Sequence, residues 1–383
     1  MEYAPSHSSR LSPAWVVGLL ALGIIAFGNG IYGQFIFDDE NNIVENAAIR
    51  SMPPLTAILN PRGLGTLSFV FNYAVGGVDE RGYHLVNIAI HLAAACTLLG
   101  VARRTLLLPE SAAVFREHAT FLAFAIAAIW MVHPLQTQSV TYIVQRLEAL
   151  MGLFFLLTLY CTLRGATAER AGWVWYVGAV ASFGLSLLSK EVAIVAPVVV
   201  LLYDRMFLAK SWAEVVNRRW GLYLAFVPGM FWLLSMLSGS LAPALDADAT
   251  ATDSAVGFGL SFMTPWNYLR SQPAVLLHYV RLSFWPSQLC LDYLWQIESN
   301  PWRIYGFGLI IVVLVLGSIG LYFRRQPVGF LGLAFFLVLA PTSSFVPIAD
   351  LAFEHRMYLA LAPLVTLVVL GGYLLTMKLL STP

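Results

Sequence analysis

Long apolar runs, each closed by polar or charged residues, follow one another along almost the whole chain. They lie near 13–33, 84–108, 119–133, 144–164, 172–188, 191–209, 220–240, 303–323, 328–342 and 357–378. Hydrocarbon cannot hydrogen-bond a bare backbone, so a bilayer is crossed by helices of roughly 20 mostly apolar residues. Each run therefore predicts a transmembrane helix. The runs at 119–133 and 328–342 are short and stop at proline, in His133-Pro134 and Ala340-Pro341, where a helix loses a donor and meets a clash. The expected fold is an all-α polytopic membrane protein, a single domain over 1–383 with about 10–11 transmembrane helices. The first outer loop, 33–83, contains Pro53-Pro54 and Pro61-Arg62-Gly63 and is expected to form short helices lying at the interface.

Charge sets the orientation. Arg10, Arg103-Arg104, Arg116, Arg164, Arg170, Arg205, Lys210, Arg218-Arg219, Arg324-Arg325 and Lys378 fall at alternate ends of the runs. The bias of Lys and Arg toward cytoplasmic loops puts that side, with both termini, in the cytoplasm. The opposite loops hold Asp38, Asp39, Glu40 and Glu45, then Asp246, Asp248 and Asp253. Segment 266–290 is apolar but carries Arg270, His278 and Arg281. The run at 220–240 leaves the cytoplasm and the run at 303–323 must return to Arg324-Arg325. Segment 266–290 thus begins and ends outside, as a re-entrant or interfacial helix. Arg270 and Arg281 are about three helical turns apart and share a face.

Composition agrees with a membrane protein and narrows the partners. The chain is 59% hydrophobic and 11% charged, against a soluble domain's charged fraction of about 25%. Its 11 Trp, 16 Tyr and 24 Phe can supply interfacial belts. The net charge of +1 gives no footing for nucleic acid. Cys96 and Cys161 lie in apolar runs and Cys290 near an interface, with neither a disulfide framework nor metal-ligand spacing. The first run follows a short polar tail with Arg10 and reads as a retained anchor.

The chemistry collects on the acidic side. Asp38-Asp39-Glu40 follows Phe35-Ile36-Phe37 directly after the first run. Adjacent carboxylates beside a bilayer are costly to desolvate and repel one another, so they mark a place where a carboxylate takes a proton or holds a cation. A divalent ion on Asp38 and Asp39 would suit oxygen ligands, and metal-free action is the alternative. Four turns on the same side carry cations at helix ends: the first loop with Arg62, His133-Pro134 followed by Arg146 and Glu148, Ser189-Lys190-Glu191, and Glu354-His355-Arg356. Together they predict a polar basin above an apolar bundle. Separately, Lys190 can pair with Glu191, Glu354 can satisfy Arg356, and His133 can cap a helix.

One acidic pair, several cations and a membrane fit glycosyl transfer from a lipid-phosphate sugar. A carboxylate serves as general base for the acceptor hydroxyl, and cations stabilise the departing phosphate. Arg356 ranks first for that phosphate because its planar fork donates two parallel bonds, with Lys190, Arg281 and Arg146 behind it. No Gly-rich nucleotide loop is present. The rival class is a transporter or flippase of a lipid-linked or small solute, which would place its polar residues at midplane, with inverted repeats and broken helices.

The motifs also resemble a known family. Phe37-Asp38-Asp39-Glu40 with Asn46, Leu67-Ser68-Phe69 with Asn72-Tyr73, and Gly82-Tyr83-His84-Leu85 with Asn87 and His91 are similar to the first-loop region of the transmembrane and tetratricopeptide-repeat O-mannosyltransferases and their bacterial relatives. The likeness runs on through His133-Pro134-Leu135, Gln145-Arg146, Glu148, Ser189-Lys190-Glu191, Leu202-Tyr203-Asp204 and Glu354-His355-Arg356. The resemblance implies a GT-C glycosyltransferase fold in a bacterial inner membrane, with the catalytic aspartates on the periplasmic side. It also implies a polyprenyl- or dolichyl-phosphate sugar donor and a protein or glycan acceptor. Family members in animals carry a repeat domain after the last helix. Here the chain stops at Pro383 with no period of about 34 residues, so acceptor specificity tied to repeats is not expected to carry over.

Overall fold

A computed structural model of the chain describes residues 11–109, 111–241 and 263–381. Arg10 and the later acidic group Asp246, Asp248 and Asp253 lie outside the described residues. Among the described residues the regular structure is helical, without a β-strand. The longer helices are α1 (Pro13–Phe27), α2 (Gly63–Gly76), α3 (Glu80–Leu106), α4 (Ala119–Val132), α5 (Arg146–Thr167), α6 (Gly172–Leu187), α7 (Ala196–Tyr203), α8 (Trp212–Leu241), α9 (Pro265–Phe284), α10 (Phe307–Phe323), α11 (Pro327–Leu339) and α12 (Met357–Leu380).

This is the polytopic all-α class that the apolar runs imply. Among the described residues six stretches are each long and apolar enough to cross a bilayer: Pro13–Tyr32, Glu80–Leu106, Ile143–Thr167, Trp212–Ser238, Trp302–Phe323 and Glu354–Leu380. A seventh candidate is a bent pair, Ala119–Val132 with Pro134–Thr141, turning by 55°. The bend falls where Pro134 cannot continue the ladder. Helices α6 and α11 are shorter apolar helices. The run at 191–209 changes pitch twice, from a 3-10 turn (Glu191–Val195) through α7 to a π turn (Asp204–Leu208). Helix α9 covers most of 266–290, and the chain from Trp285 to Asn300 is irregular.

Local sequence sets the helix starts. Ser12 accepts the Ala14 N–H ahead of Pro13, Asp79 accepts the Arg81 N–H, and Thr264 accepts the Asn267 N–H before Pro265. Between helices in a bilayer, close packing replaces exclusion of water as the driving force. Gly152 shows the effect: a Cβ there would stand 2.6 Å from the Tyr358 ring, so glycine lets α5 and α12 approach. One large core joins α3 to α12, with Trp130, Phe155, Phe183, Phe226, Tyr279 and Met357 buried in it.

Two smaller features fix the ends. On the side of the basic loops, Arg219 donates to both oxygens of Asp204 at 2.6 Å, and the Tyr223 hydroxyl donates to the same carboxylate at 2.6 Å. This buried pair ties the π turn to α8 where Arg219 leaves helical geometry (φ −136°, ψ 16°). At the opposite ends a second core of Ile43, Ile49, Phe69, Val70, Tyr83, Tyr142, Ile143 and Val144 clamps the first loop onto the starts of α3 and α5. That core carries the acidic pair.

Candidate active site

The two aspartates occupy opposite environments. Phe37 has φ 53°, a left-handed conformation that a bulky side chain seldom adopts, and the chain turns there. Asp39 is buried: its Oδ1 accepts the Val144 N–H at 2.7 Å and its Oδ2 the Ile36 N–H at 3.2 Å. Burial pushes its carboxyl up to about 6, against the pull of those N–H groups and with help from the Asp38 charge. Asp38 is exposed. Its backbone N–H donates to the Tyr142 hydroxyl at 3.0 Å, and its carbonyl accepts from the Asn42 amide at 2.8 Å. Glu40 is exposed at the start of a π turn.

A compact charge cluster stands at the same helix ends. Lys190 Nζ meets Glu148 Oε2 at 2.7 Å, with side chains only 12% and 3% exposed. Arg62 pairs with Glu191 at 3.2 Å, and the Leu64 N–H donates to the Leu188 carbonyl at 2.9 Å, seating the first loop on this turn. His355 lies within electrostatic reach of Lys190, Arg62 and Arg356. Its backbone N–H donates to Gln138 Oε1 at 2.6 Å, and its Nδ1 lies 3.0 Å from the same oxygen. Gln138 also donates to the Leu291 carbonyl at 2.6 Å, and Leu291 packs on the core that holds Tyr142. The turn at 133–141, the turn at 188–191, the start of α12 and the segment after α9 therefore meet.

Glu354 serves that segment rather than Arg356. Its Oε1 accepts the Cys290 N–H at 2.9 Å and the Tyr293 hydroxyl at 2.6 Å. Arg356, ranked first for the donor phosphate, is held by protein acceptors in this structure. Its side chain is buried, and its guanidinium donates to the carbonyls of Thr342 (3.3 Å), Leu351 (3.1 Å) and Asp350 (2.6 Å) and to the Tyr268 hydroxyl (3.3 Å). The fork grips the loop before α12. Burial, with Asp292 and Asp38 nearby, holds the Asp350 carboxyl above its ordinary range against the Arg356 charge.

Arg146, a supporting candidate for the same phosphate, is also engaged by the protein. It is fully buried, donating to Asn87 Oδ1 (2.6 Å), Asn72 Oδ1 (2.6 Å), Ser68 Oγ (3.1 Å) and the Tyr83 carbonyl (2.9 Å), beneath the Phe69 ring at 4.7 Å. It knits α2, α3 and α5 together. His84 is likewise structural, buried with Nε2 3.1 Å from the Gly33 carbonyl. His133 does cap its own turn, accepting the Leu135 N–H at 3.2 Å through Nδ1, and its Nε2 lies 3.2 Å from the Ser283 carbonyl of α9. Arg281 stays exposed, and its hydrogen bond is to Ser287 Oγ at 3.2 Å.

Sequence reasoning passed over Tyr142, Gln138, Tyr293, Asp292 and Asp350. Asp350 sits four residues before Glu354 and was visible as an outer-loop acid; the others gave no signal beyond a polar stretch. Among the described residues no group of three or more His, Cys, Asp or Glu converges as a metal site, and both Asp39 oxygens are engaged by N–H groups.

No family model and no solved structure matches the chain. Curated proteins do. Over 287 residues it is 29% identical to protein O-mannosyl-transferase TMTC2 of Homo sapiens, covering 64% of this chain and 33% of that protein. Over 211 residues it is 30% identical to protein O-mannosyl-transferase Tmtc1 of Drosophila melanogaster, covering 50% and 23%. Over an aligned length of 433 residues it is 26% identical to protein O-mannosyl-transferase TMTC4 of Mus musculus, covering 95% and 56%. The matched stretch thus spans about a third of the TMTC2 relatives.

Proposed function

Because the chain is related to the TMTC protein O-mannosyl-transferases, we propose that it is a membrane glycosyltransferase. It moves a sugar from a polyprenyl-phosphate donor to an acceptor hydroxyl, a protein Ser or Thr or a glycan, on the extracytoplasmic side. Asp38 is the general base. It takes the acceptor proton as the acceptor oxygen bonds to the anomeric carbon and the bond from that carbon to the phosphate oxygen breaks. The departing polyprenyl phosphate keeps the electron pair and needs cations in a site of low dielectric. The largely buried Lys190 supplies one, with Arg62 and Arg281 as exposed cations.

The observation that carries this reading is the pairing of one exposed with one buried carboxylate. Asp39 is spent on the backbone of Ile36 and Val144, which leaves Asp38 free to meet a hydroxyl. The Lys190–Glu148 and Arg62–Glu191 pairs at the same helix ends add the phosphate partners.

The test is transfer by the purified chain in nanodiscs, using a radiolabelled polyprenyl-phosphate hexose and a Ser/Thr peptide. Transfer without any gradient is expected, and Asp38→Asn should slow it about 100- to 10,000-fold while the protein remains folded. Near-normal initial rates for Asp38→Asn, or passage of the lipid-linked sugar across the bilayer without bond cleavage, would overturn the reading in favour of another base or a flippase.

A further inference from the structure

The turn formed by Tyr142, Ile143 and Val144 supports both aspartates by different means. The Val144 N–H holds the buried Asp39 at 2.7 Å. The Tyr142 hydroxyl accepts the Asp38 N–H at 3.0 Å. The Tyr142 ring is 2% exposed, inside the core that includes Phe69, Tyr83 and Val144, and the Phe37 ring meets it edge-on with centroids 6.3 Å apart. Its hydroxyl reaches the Asp38 backbone.

We propose that Tyr142 is a positioning residue for the transfer reaction: its hydroxyl takes the Asp38 N–H, keeps its own proton to give to the Asp38 carboxylate, and so aims that carboxylate at the acceptor. The proposal rests on the reading of Asp38 as base. An exposed aspartate on a loop would otherwise sample several rotamers, whereas a base must lie within hydrogen-bond reach of the proton it takes. A tyrosine locked by its ring has little freedom left to lose, so one bond from it fixes direction at low entropic cost. The left-handed Phe37 fits the same role, since strained backbone is tolerated where its surroundings over-determine it. Packing alone would be served equally by phenylalanine at position 142; only the hydroxyl has no use in the core.

Tyr142→Phe keeps the ring, its burial and its contact with Phe37. It should lower kcat roughly 10- to 100-fold, the scale of a misplaced catalytic group, while donor KM and melting temperature stay near wild type. A double-mutant cycle with Asp38→Asn, read by single-turnover assay with enzyme in excess, separates positioning from general support. Added to Asp38→Asn, Tyr142→Phe should cost nothing further. An equal loss in both backgrounds, a loss accompanied by a lowered melting temperature and raised donor KM, or an unchanged kcat would each overturn the proposal. If Asp38→Asn is itself active, the base assignment fails and this inference falls with it. If Asp38→Asn is dead and Tyr142→Phe is neutral, only the role of Tyr142 falls.

Discussion

Arg356 decides between a ligand clamp and a loop clamp, and the structure favours the loop. Its donors span Thr342 at one end of the loop and Asp350 and Leu351 at the other, with Tyr268 of α9 alongside. Arg356→Ala would leave those carbonyls without their partner in a place largely closed to water. One buried unsatisfied group costs about 1–3 kcal/mol. The acceptors share a single guanidinium, so their losses do not add, and about 3 kcal/mol, the upper end for one such group, is the expected total. Arg356→Lys keeps the charge but loses the planar fork that bridges both ends of the loop, so it should lie between wild type and Arg356→Ala. Thermal unfolding followed by tryptophan fluorescence in detergent reads the stability, and titration with the polyprenyl-phosphate donor reads the affinity. The expected result is a lowered melting temperature with unchanged donor affinity in the folded fraction. An unchanged melting temperature with donor affinity weakened tenfold or more would refute this reasoning and return Arg356 to the phosphate.

At the other end of the bundle, Asp204→Asn leaves Arg219 buried without its carboxylate and should cost about 3–5 kcal/mol, read as a lowered melting temperature; wild-type stability in the variant would mean that the pair is dispensable. Asp39 titrates at about 6 in the folded chain, against an ordinary value of 3.8. Between those values the folded state holds a proton that the unfolded state has released, so this group's contribution to stability falls as pH rises from about 4 to about 6. Asp39→Asn should remove that slope from a plot of melting temperature against pH, and a slope that persists in the variant would assign it elsewhere. Arg281→Ala, which touches no buried carboxylate, should raise donor KM with little change in melting temperature; an unaltered KM would take α9 out of the donor site.

The bundle was legible because the bilayer imposes one solution on the backbone, and apolar runs bounded by charge announce it. The acidic pair was legible as a pair because nothing in packing asks for adjacent carboxylates. Their division was not. It depends on Val144, 105 residues from Asp39, and on Tyr142, 104 residues from Asp38. The same limit explains why the partners of Arg146 and Arg356 were not legible. The sequence puts Arg146 and Arg356 at helix ends on the acidic side, but whether a guanidinium is free depends on acceptors far along the chain. Asn87, Asn72 and Ser68 take up Arg146; Thr342 and Tyr268 help take up Arg356. Segment 191–209 reads as one apolar run because hydropathy is blind to pitch, whereas Pro197 and the Asp204–Arg219 pair set where the helix begins and ends.

In the proposed transfer, the cation pairs at these helix ends suit a transient anion. Lys190 and Arg62 are each matched by a carboxylate, Glu148 and Glu191, so this quartet is neutral before any phosphate arrives. An unmatched cation as buried as Lys190 would bind a phosphate tightly and then hold the product, and would carry a desolvation cost whenever the site was empty. A neutral quartet avoids that cost, yet its N–H donors can turn toward a phosphate whose charge grows as the glycosidic bond breaks. Stabilisation is then greater for the departing group than for the bound donor, which is the differential that accelerates a reaction. Asp38 follows the same logic from the other side. Asp39 is buried beside it and Asp38 is exposed, so in the proposed transfer the pair would combine a fixed anchor with a free base.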